Sequence, residues 1–428
     1  MKRLLPMLLT ILLVVAFLCS CSLEKTDKKI IRYTAPGFPK YDVIRRQQGK
    51  DFMNMNPDIR TDYQPVAGVG YIDKLLTQFA GNDAPDIFFI RDFDLPALAG
   101  KGAVYSLDEI VEETGFDVSE YFPELIDAYT FNGRLYALPG SFTTRVLYYN
   151  KDLFDEMELP YPDASWDWDK FREVAQKLTK RNASGITTQF GAALYSDAAD
   201  MWILYILQNG GKVFDETGKK CVIKNPDAVH AIEYFKGLIK KYHVIPDQSD
   251  IQGADSFQIF VSGRAAMFIG GRWYVLNFRE KENLSFGIAP LPKGKKRATF
   301  LDSHGWAITS SSKDKTADWA FLNYLSGPKG NKYVVDEGDS VPVYRKEALS
   351  GDFLKDKKYP NENNEVFIDS IKYAYPPKKY TSPLIPWNLF SKVLMENFDK
   401  FTLGETNAEE TLQNIQDRLN SIIEENLH

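Results

Sequence analysis

Along this chain, short apolar runs alternate with stretches whose apolar residues recur every three or four positions. Ile30-Ile31-Arg32-Tyr33-Thr34 predicts a strand, broken by Ala35-Pro36-Gly37-Phe38-Pro39. A helix is expected over 41–55, stopped by Asn56-Pro57, and a second strand over 59–66. Tyr71, Ile72, Leu75, Leu76 and Phe79 share one face of a helix over 71–80. After Pro85, the run 86–90 reads as a strand buried on both faces, its residues 87–90 being continuously apolar. Strand, helix, strand, helix, strand is the opening of a doubly wound α/β unit.

Further on, 135–139 and 145–150 read as extended, with Gly140-Ser141 between them. Helices follow over 168–179, 200–209 and 227–242. The last has Asn225 as its cap, Pro226 at its first position and Val229, Ile232, Phe235, Leu238 and Ile239 on one face. A helix over 257–262, strands over 265–269, 286–291 and 306–309, and a helix over 317–325 complete the middle. A final helix starts near Asn407, with Glu410 placed for a capping box. There is no repeat and no low-complexity linker. Two α/β halves without a linker imply a chain that crosses between them more than once.

The N-terminus departs from this pattern. Lys2 and Arg3 precede an apolar run from Leu4 to Leu18, shorter than the ~20 residues of a stable span, which marks a secretory signal over 1–20. Leu18-Cys19-Ser20-Cys21 resembles a bacterial lipoprotein processing box, which implies that Cys21 becomes the first mature residue and carries diacylglycerol. Cys19 is the alternative, and a plain signal peptide with incidental cysteines is the simpler reading. Cys221 is then the sole thiol left, so no intramolecular disulfide can form. Residues 21–29 are polar and read as a tether. With 52 basic and 58 acidic residues the chain is mildly acidic, which argues against a nucleic-acid partner.

Chemical motifs are absent: no phosphate-binding glycine loop, no nucleophile elbow and no zinc-helix signature. Asp247, Asp250 and Asp255 miss calcium-loop spacing and read as a solvated loop. Cys221, in Lys219-Lys220-Cys221-Val222-Ile223, reads as a strand residue rather than a nucleophile. No catalytic residue, metal or cofactor is expected. A secreted glycan hydrolase remains a remote alternative, because paired carboxylates can come from distant sequence.

The remaining motifs run in a telling order. They include 52–59 (F-M-N-M-N-P-D-I), 80–87 (A-G-N-D-A-P-D-I), 135–139 (L-Y-A-L-P), 147–154 (L-Y-Y-N-K-D-L-F), 260–268 (F-V-S-G-R-A-A-M-F), 286–292 (F-G-I-A-P-L-P) and 305–309 (G-W-A-I-T). Behind a lipoprotein box, this series resembles the extracellular solute-binding proteins of ABC importers, in the maltose- and oligosaccharide-binding group. The resemblance implies a two-lobed α/β fold of the periplasmic-binding-protein type (type II), with the ligand cleft between the lobes. Carried onto this sequence, the crossings fall near 138–143, 299–303 and 339–343. One lobe is then 30–140 plus 302–340, the other 142–300 plus 342–428. It also implies a lipid-anchored monomer on the extracytoplasmic face of the cell membrane. Its partners would be a carbohydrate ligand and ABC permease subunits. An acidic sugar, a phosphorylated polyol or another non-sugar solute are the alternative ligands.

Sugars offer apolar faces to aromatic rings and polar edges to charged or amide groups. On that basis Trp273 and Phe38 are candidate stacking residues, each after a predicted strand. Asp92 and its neighbour Arg91 sit where doubly wound sheets place ligands. Thr143 and Arg145 flank the first crossing, and His304 and Trp306 the second. Arg272 adjoins Trp273, Tyr195 precedes the 200–209 helix, and Trp387 is expected as an exposed ring in the Pro-framed loop 383–388.

Overall fold

The computed structural model describes residues 28–427 apart from Val69, Asp197, Gln252, 356–358 and 360–361. The signal segment, Cys21 and most of the expected tether lie outside the described residues. Lys29, at the end of that tether, already begins the first strand.

Nine strands carry the architecture: β1 (Lys29–Thr34), β2 (Ile59–Tyr63), β3 (Ile87–Arg91), β4 (Ala137–Thr144), β5 (Val146–Asn150), β6 (Thr187–Ala193), β7 (Ala265–Gly270), β8 (Phe286–Ala289) and β9 (Thr299–Ile308). The first sheet runs β2, β1, β3, β9, β4, with β1 parallel to both β2 and β3. β9 enters it antiparallel to β3 and β4. The second sheet runs Lys180–Arg181, β6, β7, β5, β8. Each sheet has its own apolar core. Ile31, Phe52, Ile90 and Phe321 belong to the first; Phe171, Trp202, Phe235 and Leu412 belong to the second. A third cluster, including Phe142, Tyr148, Phe268 and Val343, lies around the crossings.

β4 and β9 link the two halves. β4 leaves the first sheet and continues through Arg145 into β5 of the second. The start of β9 pairs with Ala374–Tyr375, while its end lies between β3 and β4. Phe142 also bridges to Val341, on a third segment running alongside.

Local signals explain most elements. Asn225 caps Pro226–Lys240 by accepting the Ala228 N–H, and Asn407 accepts the Glu410 N–H ahead of Ala408–Leu427. Three expectations differ from the structure. The 59–66 strand ends at Tyr63, because Pro65 cannot donate to a ladder; Val66–Ala67 pairs separately with Pro36–Gly37. The 306–309 strand is only the end of β9, whose earlier residues mix polar and apolar side chains at the crossing. Trp387 is not in a loop: it opens the 17-residue helix Trp387–Leu403, whose buried face is Phe390, Val393, Leu394, Phe398 and Phe401. Cys221 is buried, its thiol pushed up to about 12 by desolvation, and its N–H donates to Asn420.

Candidate functional site

The carboxyl ends of β1 and β3 open towards the crossing strands. Between them and β7 lies a cavity of ≈ 260 Å³. Phe38 follows β1, and Asp92 and Phe93 follow β3. Ser141 and Thr143 of β4, Asp302 to His304 of β9, and Asp339 and Ser340 form the crossing side. Trp273 closes the cavity from the second sheet, just past the end of β7.

The aromatic rings are placed by glycines. A Cβ on Gly271 would lie 2.2 Å from Cζ3 of Trp273, so the indole can fold back only over a glycine. A Cβ on Gly68 would meet Cζ of Phe38 at 2.7 Å. Both rings keep an open face: Trp273 is 37% and Phe38 52% exposed, in walls otherwise largely buried.

The polar groups are set more rigidly. Asp92 is buried; its Oδ1 accepts the Phe93 N–H and its Oδ2 the Ser303 N–H. Desolvation, together with the nearby Asp302 carboxylate, holds its pKa well above the usual range. His304 packs against Phe89, ring centroids 4.8 Å apart, and hydrogen-bonds Ser141. Its low-dielectric surroundings, with Arg45 adding repulsion, push its pKa down to about 3, so the ring is neutral. Thr143 Oγ1 donates to Thr144 O and accepts the Arg272 N–H at 3.0 Å; it holds the turn that carries Trp273.

Phe38, Asp92, Thr143, Trp273 and His304 therefore line one cavity. Trp387 lines an adjoining one of ≈ 320 Å³, which shares Pro36, Arg91 and Phe93 with the first; its ring lies 5.5 Å from Phe93. The other four candidates are held elsewhere. Arg145 is locked against Asp200 at 2.6 Å and Asp302 at 3.0 Å, with Phe300 beneath its guanidinium. Arg272 is 2% exposed; it donates to Ser340 O and Asn364 and tethers the third crossing segment. Tyr195 shares a 2.6 Å hydrogen bond with Tyr274 and packs on Phe268. Trp306 is 1% exposed, because the Arg45 guanidinium covers it at 4.8 Å and seals it into the first core.

Sequence reasoning missed Tyr41, Arg45, Phe89, Ser141, Asp302 and Asp339. One signal was available for two of these. Tyr41 and Arg45 stand four apart on the helix Pro39–Met55, directly after Phe38, and so share a face.

A sequence profile described as bacterial extracellular solute-binding protein matches residues 36–332. The chain belongs to this family. Among family relatives, the maltodextrin-binding protein of Bacillus subtilis is 24% identical over 302 residues, 68% of each chain. A maltooligosaccharide ABC transporter solute-binding lipoprotein of Streptococcus pneumoniae is 23% identical, over 74% of this chain and 72% of its own. An ABC substrate-binding protein of Listeria monocytogenes, solved in complex with cycloalternan, superposes with a TM-score of 0.80 at 26% identity, covering 92% of this chain and 98% of that one. These findings bear out the resemblance and the two-lobed, periplasmic-binding-protein-like α/β fold.

Proposed function

We propose that this protein is the solute-binding component of an ABC importer and that its cleft captures a carbohydrate for delivery to the membrane permease. One observation carries the reading: Phe38 and Trp273 present open aromatic faces from opposite lobes across a cavity bounded by buried carboxyl and hydroxyl groups. That pairing suits a sugar ring, whose C–H faces stack while its hydroxyls bond at the edges. Contact with both lobes supplies the differential affinity that closes them. The relatives named for maltodextrin and maltooligosaccharide support the same substrate class.

The lobes divide as 30–140 with 302–340 and 142–300 with 342–428, in keeping with the two sheets. Ligand contacts come from Phe38, Asp92, Trp273 and His304, with Thr143 positioning Trp273 and Trp387 reached through the adjoining cavity. The protein works as a monomer, held on the extracytoplasmic face of the cell membrane by lipid on Cys21, and turns nothing over. Calorimetry across mono- and oligosaccharides tests the reading. Saturable binding of a sugar, recovered unchanged after incubation, is the expected result; flat responses to every sugar beside a response to another solute class would reject it.

A further inference from the structure

Arg45 is the one cleft cation that the described residues leave without a counter-ion. It is 4% exposed and lines the cavity from the inner face of the helix Pro39–Met55. Its Nη1 donates to Gln48 Oε1 at 3.0 Å, and Gln48 is itself anchored by donating to Gly330 O. Its Nε is buried with no partner, and no acceptor for Nη2 stands among the described residues. Asp42, the acid whose field reaches it, accepts the Tyr63 hydroxyl instead. The guanidinium plane rests on Trp306, so its orientation is fixed before any ligand arrives.

The other arginines beside the cleft are committed. Arg91 pairs with Asp94, Arg145 with Asp200 and Asp302, and Arg272 donates to Ser340 and Asn364. A buried cation without a partner is costly, and evolution ordinarily supplies one. Nε is shut off from the cavity as well as from the protein, so the group open to a ligand is Nη2, whose two N–H donors lie in a pre-oriented guanidinium plane and can receive an anionic oxygen.

We propose that the preferred ligand carries a carboxylate, as a uronic acid or an oligouronide, and that this group docks on Nη2 of Arg45. The inference rests on the carbohydrate reading above and narrows its substrate class. The surroundings permit it. Arg145 neutralises Asp302, His304 is uncharged, and burial raises the pKa of both Asp92 and Asp339. These groups can bond the sugar hydroxyls with reduced opposition to the anion.

The test is calorimetry on the purified protein with matched pairs: glucose against glucuronic acid, galactose against galacturonic acid, and their disaccharides. Glucose 6-phosphate serves as a phosphate control. One uronide should bind about tenfold or more tighter than its neutral partner, with affinity falling as salt rises. Arg45→Gln should abolish the preference, and Arg45→Lys should restore only part of it, since an ammonium on a flexible stem is not held in plane by Trp306. A neutral sugar binding as tightly as its uronide, or a preference surviving Arg45→Gln, overturns the proposal while leaving the carbohydrate reading intact. Tighter binding of the phosphate ester overturns the carboxylate assignment. If no sugar binds, neutral or acidic, both readings fall. The wild-type comparison stands alone should Arg45→Gln fail to fold.

Discussion

Arg145 stands behind the cleft's wall residue Asp302, Arg45 lines the cleft itself, and their surroundings are opposite. Arg145 has 14% of its side chain exposed and holds two carboxylates, one from a second-lobe helix and one from β9. Arg45 is more deeply buried and holds none. The first is a strut whose charge is balanced within the protein. The second is a charge whose balance is left to whatever enters. Burial alone does not separate a structural arginine from a ligand-directed one; the census of counter-ions does.

That contrast can be broken experimentally. Arg145→Met leaves Asp200 and Asp302 without their cation and should destabilise the unliganded protein by about 2–4 kcal/mol in urea unfolding, somewhat less than for a fully dry pair. Arg45→Met removes a charge that nothing balances, so the same measurement should move by less than about 1 kcal/mol, or upward. Equal losses in the two variants would erase the distinction. Next in size is Trp273→Ala, which should cost about 2 kcal/mol of ligand affinity, roughly thirtyfold, with little change in melting temperature because the ring is half open to solvent. If unfolding accompanies the loss, Trp273 belongs to the core.

His304 supplies a pH signature. Its folded pKa, near 3, lies below the ~6.5 of an unfolded histidine, so only the unfolded chain takes up the proton between them. Its contribution to stability is present above pH ~6.5 and is lost as pH falls towards 3. At pH 5 this amounts to about 1–2 kcal/mol, after discounting for the solvent that reaches the ring. In His304→Gln the slope of melting temperature against pH over this window should flatten; an unchanged slope would assign acid sensitivity to other groups. The smallest expected effect belongs to Gly271→Ala. Its methyl displaces the indole and should weaken ligand binding by about 1 kcal/mol, seen by calorimetry, without removing the ring.

How much of this was legible beforehand depended on what decides each feature. The caps at Asn225 and Asn407 are local chemistry, and both are where the pattern puts them. Asp92 was legible because strand ends are where this topology exposes side chains, and Phe38 and Trp273 because the family resemblance marks their positions after strands. The Trp387–Leu403 helix was overlooked behind its Pro-rich entry, although its apolar residues recur at helical spacing. For Arg45 the spacing from Tyr41 gave a helix face but not its burial. In the sequence it is half of an Arg45-Arg46 pair on a polar helix, and only packing against Trp306 and Gln48 makes it buried while Arg46 stays exposed. Arg272 and Arg145 looked equally available, since their counter-ions and acceptors come from segments far along the chain.

The threading of β9 has a consequence for the order in which the protein can be made. β3 gains its second neighbour only from residues 304–308, more than two hundred positions downstream. Until that stretch emerges, the first sheet ends in an open edge that is apolar from Ile87 to Ile90, although β1, β2 and β3 are complete. The N-terminal half therefore cannot finish folding on its own schedule. A chain cut short before residue 299 should remain loose and protease-sensitive over its first sheet, because the strand that closes that sheet is made only after all the strands of the second.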